Sequence, residues 1–233
     1  MCERLFLDPH VFFCEIDGAY LFLDSAKDKY ITFTGAQADW FAEIRNSNDA
    51  DTLSADARKF ANRLIQSGLI RTTSEDGKPI QEVGYKAPDY SVFIRGADTP
   101  PAVSLKAVPR YVLAYIASCL SHRANTAEMG RMIQAAKRWK SGLPSANANL
   151  RERSIELTER FHGITPLFYT SRDVCFFSSL FLVKYLSQFG VSADWVFAVR
   201  LAPFGAHCWV EFDHVVLNED YDKTFAFKPI MLV

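Results

Sequence analysis

The chain has 233 residues, of which 49% are hydrophobic and 23% charged, so it can bury a substantial core in one large domain or two small ones. Its formal net charge of -1 at pH 7 provides no broad basic surface, which argues against a nucleic-acid partner. The longest apolar stretch, residues 174–186, is shorter than the roughly 20 residues of a membrane span and contains polar side chains, so we expect no transmembrane helix.

The amino terminus and the cysteines indicate the compartment. The first residues include acids and lack a basic leader followed by a long apolar run, so we expect no secretory signal and a cytoplasmic location. The five cysteines are scattered without a CxxC pair, which predicts neither disulfides nor a structural zinc site, and we expect no cofactor. Cys2, Cys14 and Cys119 are interpreted as small apolar residues.

The chain opens with predicted strands. Residues 11–16 and 19–24 are rich in aromatic and β-branched side chains, and Asp17-Gly18 between them is a signal for a two-residue turn. Together they predict a β-hairpin. A third strand is predicted at residues 30–33, after a polar turn.

Two predicted helices follow these strands. Thr34 stands where an N-cap would open the first helix. Ser54 can cap a second helix over residues 55–67, and Gly68 sits where a left-handed residue ends a helix. Three strands followed by two helices predict a compact, winged-helix-like module over residues 1–75.

A linker is predicted at residues 76–104. Hydrophobic periodicity is lost there, and turn-forming residues such as Asp76-Gly77-Lys78-Pro79 and Pro100-Pro101 take over. A stretch this long without helices or strands is unusual inside one compact domain. The sequence therefore predicts two domains joined by this segment.

The second domain, residues 105–233, begins with helices and ends with strands. The helices are predicted at residues 105–119, 126–139, 148–161 and 174–189, the last after a possible capping run, Ser171-Arg172-Asp173. The strands are predicted at residues 192–201, 206–212, 215–217 and 224–232, with Asp213-His214 as a hairpin turn. Helices followed by an antiparallel meander predict an α+β fold.

Cys175 is the candidate nucleophile. It lies in the first turn of the last predicted helix, where unpaired backbone N–H groups and the helix dipole favour a thiolate. His207 follows 32 residues later, on a strand that can return to the start of that helix. In contact, the two would form the thiolate–imidazolium pair of nucleophilic acyl transfer. Because free cysteines are commonly structural, spacing alone leaves this pair a hypothesis.

A third residue should orient the imidazole. Glu219 is the candidate because it ends the strand that pairs with the strand of His207. Asn218 and Asp220 remain alternatives for this role. Cys208 alternates to the face of the strand opposite His207, so we interpret it as a core residue.

Three motifs of the second half form a set. Cys175 opens an apolar helix, Phe-Gly-Ala-His-Cys-Trp-Val-Glu occupies residues 204–211, and Val-Val-Leu-Asn-Glu occupies residues 215–219. They resemble the B proteins of lasso-peptide biosynthesis, and the resemblance covers the whole chain. The sequence departs from that family in having Phe176-Phe177-Ser178 where Pro-Arg often follows the cysteine, and Glu219 where an aspartate is expected.

The resemblance implies a function. In that family a papain/transglutaminase-like cysteine protease with a Cys-His-Asp triad removes the leader from a ribosomally made precursor. A separate ATP-using, asparagine-synthetase-like cyclase then closes the macrolactam. By this resemblance the chain is a leader peptidase with the precursor's leader and the cyclase as partners, and Cys175, His207 and Glu219 are its catalytic residues. Two alternatives stay open: a catalytically inactive leader-binding adaptor for the cyclase, and an acyl-transfer or crosslinking enzyme that uses the same thiol.

The first module is similar to the leader-recognition domain of enzymes that modify ribosomally made peptides. This similarity implies that the leader binds as an added strand along the third strand and against the second helix. The residues expected to contact it are Tyr30, Ile31, Thr32, Phe33, Phe60 and Leu64.

Overall fold

A computed structural model of the protein describes residues 4–47, 49–73, 75, 77–92, 108–122, 128–165 and 175–233. The chain divides into two compact units, Met1–Gly84 and Tyr85–Val233. Both helices and strands are present in each unit, so the predicted mixed α+β class is confirmed. Across the described ranges, no helix is both long and apolar enough to cross a membrane.

Two small sheets, two α-helices and a 3-10 helix are found among the described residues of the first unit. Its elements are β1 (Phe6–Leu7), β2 (Val11–Ile16), β3 (Ala19–Asp24), β4 (Lys29–Phe33), α1 (Ala36–Ser47), the 3-10 helix Ala50–Thr52, α2 (Ala55–Ser67) and β5 (Ile70–Arg71). One sheet is antiparallel with the order β2-β3-β4, and the other pairs β1 with β5. The predicted hairpin is confirmed, because Asp17 and Gly18 turn the chain with φ of 50° and 74°.

The start of α1 differs from the prediction. The backbone N–H groups of Ala38 and Asp39 donate to the carbonyl of Gly35 at 2.9 and 3.1 Å. Gly35 therefore occupies the position before the helix, and the prediction of Thr34 as its N-cap is wrong. Gly35 has a φ of 55°, a left-handed conformation that a residue without Cβ adopts readily.

Both predicted ends of α2 are confirmed. The Ser54 side chain accepts a hydrogen bond from the N–H of Ala57, which satisfies one of the unpaired donors of the first turn. Gly68 ends the helix with a φ of 77°, and its N–H donates to the carbonyls of Leu64 and Ile65. Helix α2 is thus defined by local sequence signals.

Aromatic rings fill the core between the helices and the larger sheet of the first unit. Phe41 of α1 is completely buried. Its ring makes edge contacts with Phe13, Tyr20 and Phe22, at centroid distances of 4.8–5.1 Å. Such contacts add to the stabilisation from burial, so this cluster fixes α1 on the sheet.

The second unit combines a five-stranded sheet with five helices among the described residues. Its elements are β6 (Tyr90–Ser91), α3 (Val108–His122), α4 (Glu128–Lys140), α5 (Ala148–Ile164), α6 (Cys175–Ser187), β7 (Asp194–Arg200), β8 (Gly205–Phe212), β9 (Val215–Val216), α7 (Tyr221–Phe225) and β10 (Lys228–Leu232). The strand order is β10-β7-β8-β9-β6. All neighbours are antiparallel except β6 and β9, which are parallel.

Helix α6 is the central helix of this unit. It packs against α3, α4 and α5 and against the strands β7 and β8. The ring of Phe181 lies 4.7 Å from those of Tyr111 and Phe161. A helix that is apolar on all sides is stable only when it is surrounded in this way. This packing holds the start of α6, at Cys175, beside β8, which contains His207.

The predicted strands of the second unit hold, with one exception. Asp213 and His214 form a hairpin turn with φ of 49° and 64°, as predicted. The prediction of a strand from residue 224 is wrong, because Tyr221–Phe225 is a short helix and the strand starts at Lys228. The predicted helix starts at residues 105–107 and 126–127 and the capping run at 171–173 lie outside the described residues.

The described residues 77–92 of the segment 76–104 pair with elements of the two units. Lys78 exchanges backbone hydrogen bonds with Leu7, and Ile80 is buried in the core of the first unit. Tyr90–Ser91 is a strand of the second sheet. Residues 93–104 lie outside the described residues.

Candidate active site

Cys175 is the first residue of α6 and is half-buried against β8. Its sulfur lies near the side chains of His207 and Cys208, which are consecutive residues of β8, and both lower the pKa of the thiol. Cys175 and Cys208 are both reduced thiols. The packing of α6 on the sheet therefore brings the candidate nucleophile and the candidate base into contact.

His207 lies in β8 opposite Ala198 of β7. Its Nε2 is 2.6 Å from Oε2 of Glu219. This bond leaves Nδ1 as the ring nitrogen available to the sulfur of Cys175. The rings of Trp209 and Phe227 lie 6.0 and 5.3 Å from the imidazole, centroid to centroid, and restrict its orientation.

Glu219 is 8% exposed and follows β9. While Oε2 faces His207, Oε1 accepts from the backbone N–H of Asp220 at 2.9 Å and from Nζ of Lys223 at 3.0 Å. Both oxygens are thus engaged, as a buried carboxylate requires. The carboxylate cannot rotate away from His207 without losing these bonds.

The contacts favour a thiolate at Cys175. The hydrogen bond with the Cys208 side chain is the largest influence on its pKa; burial opposes it, and His207 adds to it, so that the pKa falls to about 4. For Cys208 itself, burial and the neighbouring Cys175 raise the pKa above its ordinary value. Cys208 therefore remains a thiol, and its proximity favours the thiolate form of Cys175.

The same contacts favour an imidazolium at His207. Burial lowers its pKa, but the hydrogen bonds with Cys175 and Glu219 outweigh burial and raise the pKa to about 9. For Glu219, burial raises the pKa, but the bonds from His207, Asp220 and Lys223 outweigh it and lower the pKa to about 2. At neutral pH the site is a row of alternating charges, thiolate, imidazolium and carboxylate.

The structure brings Cys175, His207 and Glu219 together in one row, in which His207 bonds to Glu219 and lies near Cys175. The two alternatives to Glu219 have other contacts. The Asn218 amide bonds to Val210 and Ser179, and Asp220 supplies its backbone N–H to Glu219. The arrangement can generate a nucleophilic sulfur and deliver a proton beside it, which are the two requirements of acyl transfer from a peptide carbonyl.

Sequence reasoning missed two contributors. Cys208 is buried, as predicted, but its thiol also contacts Cys175. The alternation of β8 indicated a core position without indicating that the start of a helix would pack there. Lys223 bonds to Glu219 four residues earlier. The Glu-x-x-x-Lys spacing is a signal that could have identified it, since such pairs meet in helical segments.

The residues expected to contact a leader divide into two groups. In β4, an edge strand of the described sheet β2-β3-β4, Thr32 is exposed and Tyr30 and Ile31 are half-buried. The other three face the core of the first unit: Phe33 is 8% exposed, and Phe60 and Leu64 are each 3% exposed. A strand added to β4 would therefore meet backbone groups and the first group of side chains.

Among the described residues, no three or more His, Cys, Asp or Glu side chains are grouped so that they could hold a metal ion.

Comparison with protein families matches residues 116–232 to the transglutaminase-like superfamily (Transglut_core3). This match spans half of the chain and includes all three residues of the row. No curated protein and no solved structure matches the chain.

Proposed function

The chain belongs to the transglutaminase-like superfamily, whose members are typically cysteine peptidases or acyltransferases, and on that premise we propose that it is a leader peptidase of lasso-peptide maturation. The observation that carries the proposal is the row of Cys175, His207 and Glu219, with His207 Nε2 2.6 Å from the carboxylate. These residues would act as a Cys-His-acid triad.

Hydrolysis would proceed in two steps. The Cys175 thiolate attacks the carbonyl carbon at the leader–core junction, and the N–H groups at the start of α6 stabilise the oxyanion. The imidazolium of His207 donates its proton to the departing amine of the core, and the leader remains as a thioester. Neutral His207 then takes a proton from water, and the resulting hydroxide attacks the thioester. The thiolate is restored as the leader leaves as a carboxylic acid, which releases its proton to the solvent.

The first unit would hold the leader. We assign leader recognition to the first unit, Met1–Gly84, and hydrolysis to the second unit, Tyr85–Val233. The leader would add as a strand to the edge of β4, where backbone groups supply affinity and Tyr30 and Thr32 supply selectivity. Binding remote from the scissile bond would raise the local concentration of a flexible substrate. The released core would pass to an asparagine-synthetase-like cyclase.

The test is peptide cleavage by the full chain. A synthetic leader–core peptide is incubated with the wild type, with Cys175→Ala and with Cys119→Ala, which removes a half-buried thiol of α3, and the products are identified by mass spectrometry. We expect the wild type and Cys119→Ala to release leader and core, and Cys175→Ala to lose at least about a thousandfold in rate. Core release by Cys175→Ala at the wild-type rate would exclude the proposal.

The same experiment separates the rival functions. Products in which an added amine is ligated to the leader would indicate an acyltransferase. Leader binding without any cleavage by the wild type would indicate an adaptor.

A further inference from the structure

Asn218, which precedes Glu219, connects the three elements of the site. Its Oδ1 accepts from the backbone N–H of Val210 in β8 at 2.7 Å, and its Nδ2 donates to Oγ of Ser179 in α6 at 3.1 Å. A backbone N–H can only donate, so the atom that faces Val210 is the amide oxygen and the nitrogen faces Ser179. The orientation of the amide is therefore determined.

Ser179 links Asn218 to α6, the helix that begins with Cys175. It lies four residues after Cys175, on the same face of α6, and is completely buried. Its hydroxyl donates to the carbonyl of Cys208 at 3.5 Å, and its oxygen is 4.0 Å from the Cys208 sulfur. The Ser179 hydroxyl thus accepts a hydrogen bond from Asn218 and donates one to the backbone of β8 at Cys208.

The Asn218 side chain also marks where the chain leaves the sheet. The N–H of Leu217 donates to the carbonyl of Val210 at 2.8 Å, as expected for neighbouring strands. The reciprocal bond is absent here, because the Val210 N–H goes to the Asn218 side chain while the Leu217 carbonyl pairs with Nε2 of His162 at 3.2 Å. The backbone is thereby released from the ladder immediately before Glu219, which can turn towards His207.

We propose that Asn218 is a positioning residue, whose side-chain amide holds the strand of His207, the helix of Cys175 and the backbone of Glu219 in the register that their mutual hydrogen bonds require. The assignment rests on the proposed function of those three residues. The role of Asn218 requires both the oxygen and the nitrogen of its amide, because only a side chain that accepts from Val210 and donates to Ser179 joins all three elements.

The test compares two variants of this contact with a matched control. Asn218→Ala removes both bonds, and Ser179→Ala removes the link to α6 while leaving the bond to Val210. Thr158→Ala is the control, because Thr158 is as fully buried as Ser179 but its hydroxyl bonds within its own helix, to the Ser154 carbonyl at 2.7 Å.

Two readouts are measured on the full chain. The first is the rate at which iodoacetamide modifies Cys175 between pH 4 and 10, followed by peptide mass spectrometry. The second is kcat and KM for the leader–core peptide. Thermal unfolding is recorded for every variant.

We expect Asn218→Ala and Ser179→Ala to be alkylated about tenfold more slowly than the wild type at pH 6 and equally fast at pH 10, since a looser contact with His207 and Cys208 raises the thiol pKa. We expect kcat to fall by about tenfold to a hundredfold with little change in KM. Thr158→Ala should lower the unfolding temperature and leave both readouts unchanged.

The proposal would be overturned if Asn218→Ala or Ser179→Ala were alkylated at pH 6 as fast as the wild type. It would also be overturned if Thr158→Ala lost as much alkylation rate and kcat as those two variants. If Asn218→Ala does not fold, Ser179→Ala decides the question by the same criteria. Alkylation needs no substrate, so it tests the positioning of Cys175 even if the wild type cleaves no peptide, a result that would count against the proposed function alone.

Discussion

The charge on His207 depends on Glu219. In the proposed mechanism, leaving-group protonation needs the imidazolium, which is lost as the pH rises through the pKa of His207, about 9. In Glu219→Gln the carboxylate that helps to raise this pKa is gone, so the alkaline limb of kcat/KM should move to lower pH. We also expect kcat to fall by about a hundredfold or more. A pH–rate profile of peptide cleavage measures both effects.

Glu156→Gln is the matched control for this substitution. Glu156 pairs with Arg160 at 3.4 Å on the exposed surface of α5, where an ion pair contributes little. An unchanged alkaline limb in Glu219→Gln would show that the carboxylate does not act on His207.

Cys208 provides a second prediction at this scale. Its thiol is the largest influence that lowers the pKa of Cys175, so Cys208→Ala should raise that pKa and slow alkylation at pH 5 by about tenfold. Cys208→Ser retains an O–H donor and should show a smaller effect. If serine and alanine slow alkylation equally, the loss comes from packing rather than from the missing donor.

Single residues were predictable where a local signal determines them. Cys175 at a helix start and His207 on a returning strand could be chosen because a helix start and the pairing of consecutive strands depend on local sequence. The Asn218 bonds to Val210 and Ser179 could not be predicted, because they depend on how a buried helix packs on a strand far away in sequence.

Among the elements, α1 offers the sharpest test of packing. Phe41 is completely buried and touches three aromatic rings, so Phe41→Ala should lower the free energy of unfolding of the first unit by about 3–5 kcal/mol. Urea denaturation followed by limited proteolysis, with cleavage sites in the first unit identified by mass spectrometry, measures the loss.

The second unit has its own core, so alkylation of Cys175 should be unaffected by Phe41→Ala in the absence of urea. A parallel loss of Cys175 reactivity would contradict the independence of the two cores.

Turn and cap signals made several elements predictable. The Asp17-Gly18 hairpin and the two ends of α2 follow from residues that favour one local conformation. Strands β1, β5 and β6 have two residues each, too few to show an alternating pattern, and only pairing with distant partners defines them. Gly35, rather than Thr34, precedes α1 because the backbone there has a positive φ, which glycine adopts without steric cost.

At the scale of the whole molecule, the first unit should bind a leader by itself. Residues 1–84 include Lys78 and Ile80, which complete its β1 contacts and its core, so the fragment is cut after Gly84. Isothermal titration with a synthetic leader should give the same Kd for this fragment as for full-length Cys175→Ala. A fragment that is folded by circular dichroism yet releases no heat would contradict leader recognition by this unit.

Strand β6 has a consequence for dividing the chain. Ser91 Oγ donates to the Glu219 carbonyl at 2.6 Å, and Tyr85 Oη lies 2.7 Å from the Glu211 carboxylate. An enzyme that begins at residue 105 would lack both bonds, and the backbone of Glu219 would lose an anchor. Any arrangement that carries recognition and hydrolysis on separate polypeptides must therefore give residues 85–92 to the hydrolytic one.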